Sequence, residues 1–302
     1  MIKIIGELHI MTSYRLLKGD VIEQLKQIPD ESVEAIITDP PYNLGMDDWD
    51  KWPSNKEFGE WCNAWGTQAF RILQKGGTIL SFGSPRTYHW MACGLENAGF
   101  ITKDMVEWVY WSSMPKGQNL KNCHEPIYYG TKGKSNITLN IEECRIPLSP
   151  TVKGIAESIL LPNMPVGKHP GRGAYLGTTD TKIYKRALDN KPYEMNEAGR
   201  HPFNIVPTSV VEFSFPTNTI DVKKPRGKAE SIAGHQTQKP IALMKWLVTL
   251  VTNPDDTIVD CFAGTGTTGA AAKELNRNAI LIEREPTYWK IIESRLGQYD
   301  RT

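Results

Sequence analysis

Short apolar runs alternate with helix-forming stretches along the chain up to about residue 130. Residues 33–38, VEAIIT, are apolar and largely β-branched, which predicts a buried strand. A helix is predicted from Ser54 to about Leu73, because Ser54 and Glu57 have the spacing of a capping box, and Gly76-Gly77 should end it. The next predicted elements are a strand at 78–82, a helix opened by Ser84-Pro85, and strands at 105–111 and 126–130.

The same alternation returns after about residue 235. The pattern there predicts a helix at 240–252, a strand at 257–262, a helix at 267–276, a strand at 279–283 and a helix at 286–296. Strands that alternate with helices indicate a largely parallel α/β sheet. Both ends of the chain would therefore contribute to one sheet.

Residues 131–234 lack this rhythm and are rich in Gly, Pro, Asn and Lys. A span of about 100 residues is too long for a plain loop in a compact domain, so we expect a separate irregular module. The predicted organisation is 1–130, 131–234 and 235–302. The middle segment has 15 Lys and Arg against 10 Asp and Glu, whereas the whole chain has a net charge of +1. This mild basicity fits a phosphate-facing surface, and it fits a solvated loop region equally well.

The composition is that of a soluble globular protein, with 40% hydrophobic and 23% charged residues. No run approaches the roughly 18 apolar residues of a membrane helix. The N-terminus lacks the features of a secretion signal, so we expect a cytoplasmic protein without a membrane partner. The five cysteines are scattered and odd in number, which argues against both a disulfide framework and a metal site.

The string Gly264-Thr265-Gly266-Thr267-Thr268-Gly269 follows a predicted strand and opens a predicted helix. In that context a G-x-G-x-x-G string lets a ligand approach the backbone and the free N–H groups of the helix N-terminus. Glu283 ends the next predicted strand, where it could accept hydrogen bonds from ribose hydroxyls. NAD, FAD and S-adenosylmethionine sites share this string, and a purely structural turn also fits it. Because the string lies close to the C-terminus, the layout is permuted and unusual for a dehydrogenase.

A second motif, Asp39-Pro40-Pro41-Tyr42, follows the predicted strand 33–38. Ligands of open α/β sheets bind at such strand ends. The exocyclic amino group of adenine or cytosine is a poor nucleophile, and a site that methylates it must offer acceptors to its N–H groups. The Asp39 carboxylate and the Pro40 carbonyl are two acceptors on a stiff turn, and Tyr42 offers an aromatic face to an extruded base. A proline-stiffened turn is the plainer alternative.

Together these motifs resemble the β-class amino-methylating DNA methyltransferases, in which a D-P-P-Y motif comes first, a target-recognition region follows and the cofactor motif comes last. The resemblance covers about 17–130 and 235–297. It includes the segments 19–20, 28–33 and 122–127, and the sequence His235-Gln236-Thr237-Gln238-Lys239-Pro240, in which Gln236 replaces the usual proline. The cofactor loop is matched by Asp260, Phe262, Gly264 and Gly266, and the ribose-binding acid by Glu283.

The resemblance implies an α/β, Rossmann-like, S-adenosylmethionine-dependent methyltransferase fold, with a seven-stranded mixed sheet, helices on both faces and a circularly permuted motif order. The implied catalytic residues are Asp39, Pro40, Pro41 and Tyr42. The implied cofactor is S-adenosylmethionine, bound by Asp39, Thr237, Gln238, Lys239, Asp260, Phe262, Ala263, Gly264, Gly266, Thr267 and Glu283, with no metal.

The implied reaction is direct in-line methyl transfer to the amino nitrogen of a flipped base in double-stranded DNA. In the family, Asp at the first motif position goes mainly with adenine, and Ser mainly with the 4-amino group of cytosine, which stays the alternative. Methylation at carbon 5 of cytosine would need a Pro-Cys pair, which the chain lacks. An RNA or protein-amide methyltransferase and an inactive DNA-binding homologue are further alternatives. The sequence leaves open a homodimer and a cognate restriction nuclease as partner.

One spatial condition connects the two motifs. The ends of strands 33–38 and 257–262 are more than 200 residues apart in the sequence. They must lie side by side around one cavity if Asp39 is to face a ligand that is bound against Gly264 and Gly266.

Overall fold

An eight-stranded mixed sheet forms the centre of the computed structural model, which describes residues 13–110, 123–141, 143–144, 219–221 and 238–297. The strands are β1 Tyr14–Lys18, β2 Val33–Thr38, β3 Leu73–Phe82, β4 Ile101–Val109, β5 His124–Thr131, β6 Thr219–Asp221, β7 Thr257–Asp260 and β8 Asn278–Glu283. Their order across the sheet is β1-β8-β7-β2-β3-β5-β4-β6. The expected seven-stranded mixed sheet is therefore confirmed, and the three-residue strand β6 extends it at one edge.

Helices cover both faces of this sheet, as expected for a Rossmann-like fold. On one face pack α1 (Val21–Leu25), α2 (Asn55–Ile72) and α3 (Tyr88–Asn97), and on the other pack α4 (Ile241–Val251), α5 (Thr267–Glu274) and α6 (Pro286–Leu296). Neighbouring residues of the central strand β2 point to opposite faces, since Ile36 packs with the first group and Ile37 with the second. A strand that is buried on both faces explains the nearly continuous apolar run at 33–38.

Helix α2 shows how closely local sequence determines an element here. Ser54 Oγ accepts a hydrogen bond from the Glu57 N–H at 3.2 Å, which is the predicted capping interaction. The face buried against the sheet repeats at three- and four-residue intervals and consists of Phe58, Cys62, Trp65, Ala69 and Ile72. The capped start and the apolar stripe together fix the helix at 55–72.

The strand at 33–38 and the helix at 286–296 are confirmed at both ends. The remaining predictions differ in their bounds, as the ranges above show: β4 starts at Ile101 and β7 ends at Asp260. The periodicity did not predict β1, α1 or β6, which are all five residues or shorter.

The interpretation of Gly76-Gly77 as a helix end is wrong. Strand β3 begins at Leu73 and includes both glycines. Gly76 has a φ of +86°, and a Cβ on Gly77 would lie 2.8 Å from the Glu34 carbonyl oxygen. The pair is needed for an irregular, close strand pairing, whose register shifts between Val33 and Ala35.

The predicted start of the third helix is also wrong. Ser84 accepts hydrogen bonds at its carbonyl from the Thr87 and Tyr88 N–H groups, so residues 84–87 form a turn. Helix α3 begins only at Tyr88, and Pro85 precedes it instead of opening it.

Most of the predicted module 131–234 lies outside the described residues, and its boundaries stay predictions. At its start, Asn140 donates from its side-chain amide to the Thr249 and Thr252 carbonyls at the end of α4. Towards its end, β6 pairs in parallel with β4. All the described residues belong to one compact unit. Within them, no helix is long and apolar enough to cross a bilayer.

Candidate active site

The ends of β2 and β7 lie side by side in the middle of the sheet. The two strands pair in parallel, with Ala35 opposite Ile258, and Thr38 Oγ1 donates to Asp260 Oδ1 at 2.9 Å. From this point β3 lies on one side and β8 on the other, the arrangement that opens a ligand crevice at the carboxyl ends of parallel strands. The adjacency that the sequence required is confirmed.

A cavity of about 540 Å³ opens at these strand ends, within the size range of small-molecule sites. Its wall includes Asp39 and Pro41 after β2, Phe262 and Gly264 after β7, and Glu283 at the end of β8. Among the described residues of the wall, six side chains are acidic and two are basic. The cavity therefore favours a ligand that carries a positive charge.

The loop after β7 brings backbone N–H groups to the cavity. Gly264 and Gly266 have φ values of 51° and 75°, in the left-handed region that glycine adopts without steric cost. A Cβ on Gly266 would also lie 3.2 Å from the Ile292 side chain. Gly266 is the N-cap of α5, where the first N–H groups of the helix have no partner within the helix. These glycines therefore meet a conformational need as well as opening the backbone to a ligand.

Glu283 lies at the end of β8 and is mostly buried. Its two carboxylate oxygens accept hydrogen bonds from the Gly264 and Glu285 N–H groups, both at 2.7 Å. Burial raises the pKa of Glu283 to about 7, and the two backbone hydrogen bonds only partly oppose it. Near neutral pH this acid is therefore present in both protonation states, and a ligand that donates hydrogen bonds favours the ionised one.

Asp260, on the cavity wall, connects the glycine loop to β2. Its carboxylate accepts hydrogen bonds from Thr268 Oγ1 at 2.5 Å, Thr38 Oγ1 at 2.9 Å and the Phe262 N–H at 3.1 Å. Burial raises the pKa of Asp260 to about 6, against the opposing effect of these donors. With three donors already in place, this side chain chiefly holds the loop in its shape.

Asp39 belongs to a group of four polar side chains, called the Asp39 cluster below, which also contains Tyr42, Glu125 and Lys239. The Lys239 ammonium lies 2.6 Å from Asp39 Oδ2 and 3.2 Å from Glu125 Oε2. The Tyr42 hydroxyl donates to Asp39 Oδ1 and lies 3.4 Å from Glu125 Oε2. Each oxygen of Asp39 thus has a fixed partner, which gives the carboxylate one defined orientation.

Lys239 supplies the positive charge of this cluster and is only 7% exposed. Burial by itself lowers the pKa of Lys239, but the carboxylates of Asp39 and Glu125 outweigh that effect and hold the pKa above its ordinary value. The ammonium also lies 4.8 Å from the centre of the Phe82 ring. Lys239 therefore stays charged at neutral pH and offsets one of the two carboxylates beside it.

Tyr42 packs its ring against the core on the α4 side of the sheet. Burial, followed by the charge of Asp39, raises the pKa of Tyr42 well above its ordinary value, so the hydroxyl keeps its proton and donates a hydrogen bond to Asp39. Tyr42 is not part of the cavity wall. A stacking role for its ring stays a prediction, whereas its hydroxyl clearly orients Asp39.

The structure brings the predicted site residues together at one place. The predicted site residues that the structure describes lie on the cavity wall, except Pro40, Tyr42 and Gly266, which are sequence neighbours of wall residues. Thr237 lies outside the described residues, as do His235 and Gln236.

Glu125 completes the Asp39 cluster; it lies in the segment 122–127 that resembles the family, but it is not among the predicted site residues. It lies on β5, HEPIYYGT, and its other carboxylate oxygen accepts from the Tyr110 hydroxyl at 3.3 Å. Acidic side chains are rarely placed inside a buried strand without a charged partner. An acid in this largely apolar strand was the signal that could have identified it.

Comparison with known proteins gives a consistent result. The sequence profile of a DNA methylase family, N6_N4_Mtase, matches residues 33–294. The type II methyltransferase M.HinfI of Haemophilus influenzae is 30% identical over 302 residues, which cover 94% of this chain and 68% of that protein. The type II methyltransferase M.HindIII of Haemophilus influenzae is 26% identical over 318 residues, which cover 93% of this chain and 94% of that protein.

Solved structures share the fold over most of the chain. The M1.HpyAVI–SAM complex superimposes with a TM-score of 0.58 at 24% identity, covering 94% of this chain and 99% of that one. The cytosine-N4-specific PvuII DNA methyltransferase does so with a TM-score of 0.59 at 16% identity, covering 96% and 90%. At these identities the structural likeness shows the fold alone.

Proposed function

The chain belongs to the N6/N4 DNA methylase family, and we propose that it transfers the methyl group of S-adenosylmethionine to the 6-amino group of adenine in double-stranded DNA. The observation that carries this proposal is the single cavity shared by the D-P-P-Y motif and the glycine loop at the ends of β2 and β7. Each motif alone is compatible with other functions. Together they provide a nucleotide-type site with hydrogen-bond acceptors directly beside it.

The cavity fits S-adenosylmethionine in size, charge and donor set. Its volume of about 540 Å³ accommodates a nucleoside with a side chain, and its acidic wall suits a sulfonium. Glu283 is placed for ribose hydroxyls, Phe262 offers an aromatic surface, and the backbone at Gly264 is open to a ligand. When bound, S-adenosylmethionine supplies a methyl group on a positively charged sulfur.

Asp39 is the residue that we assign to activating the base. The amino nitrogen of adenine is weakly nucleophilic because its lone pair is delocalised into the ring. Hydrogen bonds from its two N–H groups to the Asp39 carboxylate and the Pro40 carbonyl would localise that lone pair on nitrogen. The nitrogen loses one proton for each methyl group that it gains, and Asp39 is the acceptor that we assign to this proton. Lys239 and Tyr42 hold the carboxylate still while the base is bound.

Nucleoside analysis of methylated DNA tests the target base. We expect the protein and S-adenosylmethionine to convert unmethylated bacterial DNA into DNA that contains N6-methyladenine, because Asp39 occupies the first position of the motif. The DNA is digested to nucleosides and the methylated products are identified by mass spectrometry. N4-methylcytosine as the product would instead support the alternative target base, cytosine. One structural neighbour, the PvuII enzyme, is cytosine-N4-specific.

Parallel reactions with RNA and with a protein mixture test the substrate class. Methyl incorporation into either of these in place of DNA would contradict the proposal. An absence of incorporation into all three substrates, with donor binding retained, would favour an inactive homologue.

The affinity for S-adenosylmethionine is expected to depend on pH through Glu283. The pKa of this side chain is about 7 in the protein, and the ionised form accepts ribose hydroxyls better. The dissociation constant should therefore be lowest above pH 7.5 and rise by up to about tenfold per pH unit as the pH falls below 7. Calorimetric titration between pH 6.5 and 8.5 measures this, with Glu283→Gln as the variant that cannot titrate. A dissociation constant of the wild type that stays constant over this range would contradict the assignment of Glu283.

Ionisation of Glu283 favours donor binding, but it lowers the stability of the folded chain when no ligand is bound. The pKa of Glu283 is about 7 in the folded chain and near 4.5 in the unfolded chain, so the folded chain binds this proton more tightly. Its contribution to the free energy of unfolding is thus fully present below pH 4.5 and is lost as the pH rises towards 7.

Base recognition is assigned to the module 131–234, which carries the mild excess of basic residues. A homodimer and a cognate restriction nuclease stay predictions. The type II methyltransferases M.HinfI and M.HindIII are the similar proteins that prompt the search for such a nuclease.

A further inference from the structure

The loop that follows the D-P-P-Y motif is held by one buried carboxylate, that of Asp50. Asp50 is 1% exposed. Its Oδ1 accepts hydrogen bonds from the Tyr42 and Asn43 N–H groups, both at 2.7 Å, and its Oδ2 accepts from Leu44 at 3.0 Å and Met46 at 3.3 Å. Four backbone donors of the loop therefore converge on a single side chain.

The backbone is shaped for this arrangement. Asn43 and Gly45 have φ values of 56° and 69°, in the left-handed region, and a turn that contains such residues can direct successive N–H groups towards one point. The Gly45 N–H also donates to the Asp50 carbonyl at 3.0 Å. Among the described residues, the contacts found for the Asp50 carboxylate are all with backbone N–H groups. Such a nest selects an anion at this position.

Asp50 is linked to the Asp39 cluster through the backbone of Tyr42. The Tyr42 N–H donates to Asp50, and the Tyr42 carbonyl accepts from Thr87 Oγ1 at 2.6 Å. The residue is thus fixed on both sides of its backbone, and its hydroxyl in turn orients the Asp39 carboxylate. A shift of the loop would be transmitted to Asp39 by this one residue.

The same loop forms one wall of the cavity. Met46, Trp49 and Trp52 line it, and Met46 and Trp49 are half exposed to solvent at 51% and 40%. Exposed apolar side chains at the mouth of a cavity gain contacts only when a ligand covers them. Their position depends on the backbone that Asp50 holds.

We propose that Asp50 is a positioning residue for methyl transfer, which sets the loop 42–50 so that Tyr42 orients Asp39 and Met46 and Trp49 meet the methyl donor. This inference rests on the proposed function, because it assigns the loop to a donor and to a base. It adds a carboxylate outside the D-P-P-Y motif to the residues on which catalysis depends.

The test compares Asp50→Asn with Asp48→Asn. Asparagine has the same shape, but its NH₂ group would face two of the four backbone donors and leave them without an acceptor. Asp48 is exposed, lies off the cavity wall and belongs to the same turn, so it is the matched control. We expect Asp50→Asn to lower kcat at least about tenfold and to raise the donor dissociation constant by about tenfold. We expect Asp48→Asn to match the wild type.

A measurement without any ligand separates this proposal from the proposed function. Amide hydrogen exchange at residues 42–46 should be at least about tenfold faster in Asp50→Asn than in Asp48→Asn, while exchange in β2 and β7 stays the same. If the wild type methylates no DNA, the proposed function fails, but the contrast in exchange and in donor binding still tests Asp50.

Equal kcat, donor affinity and loop exchange in the two variants would overturn the proposal. If Asp50→Asn is not recovered in folded form, Asp50→Ser provides the same comparison, because its smaller side chain leaves room for a water molecule against the four N–H groups. If neither variant folds, Asp50 serves the fold as a whole and the proposal is rejected.

Discussion

Asp39→Ala is expected to slow methyl transfer by about 10²–10⁴-fold, the usual cost of losing a group that acts on the reacting atoms. The substitution removes the carboxylate that would accept the amino N–H of the base. It also leaves Lys239 with Glu125 as its remaining anion, so the buried ammonium keeps one partner at 3.2 Å. The glycine loop and Glu283 are untouched, and the donor dissociation constant should change by less than about threefold.

Single-turnover transfer of a labelled methyl group to DNA, measured beside calorimetric donor binding, tests this expectation. Asp48→Ala is the control, since Asp48 is an exposed acid off the cavity wall. Asp39→Asn provides an intermediate case, because its amide keeps one acceptor oxygen but adds a donor that faces either Tyr42 or Lys239. A near wild-type rate in Asp39→Ala would show that Asp39 does not act on the base.

Lys239→Met is expected to reduce both stability and activity. It leaves the carboxylates of Asp39 and Glu125 close together in a mostly buried site without the ammonium that joins them. Breaking a buried ion pair in this way costs about 3–5 kcal/mol, and we expect the lower end because the Asp39 side chain is 26% exposed. Methyl transfer should fall at least about 100-fold, because Asp39 loses the partner of its Oδ2 and with it a fixed orientation.

A double variant distinguishes charge imbalance from a general loss of packing. Glu125→Gln removes one of the two anions, so Lys239→Met combined with Glu125→Gln should recover part of the free energy of unfolding in urea melts. Lys245→Met is the matched control, since Lys245 is a half-exposed lysine that pairs with Glu274 on the surface and should change stability by less than about 1 kcal/mol. A double variant that is no more stable than Lys239→Met would contradict the charge argument.

Local patterns predicted the elements that local forces determine. The apolar run at 33–38 gave strand β2 at both ends, and the Ser54 capping interaction gave the start of α2. The pattern was wrong at Gly76-Gly77, where glycine serves a close strand pairing instead of a helix end. A glycine pair has the same appearance in a sequence in both situations, because only the neighbouring strand distinguishes them.

The motifs of the site were recognisable for the same reason. Asp39-Pro40-Pro41-Tyr42 and the Gly264–Gly269 string each follow a strand, and both strands were predicted from nearby residues. The contacts of Glu125 and Asp50 were not predicted, since their partners come from other parts of the chain or from converging backbone N–H groups. The role of a buried charged side chain can be inferred only when the groups that offset its charge are known.

The sequence by itself determined the types of the longer elements, the chemical groups at the two strand ends and the order in which they occur, because periodicity, capping and motif chemistry act over a few residues. The tertiary structure alone decided the register in which β2 pairs with β7, that Lys239 joins Asp39 to Glu125 and that Asp50 shapes the loop beside them. Those contacts depend on how separate segments of the chain pack together, and local sequence patterns do not predict that packing.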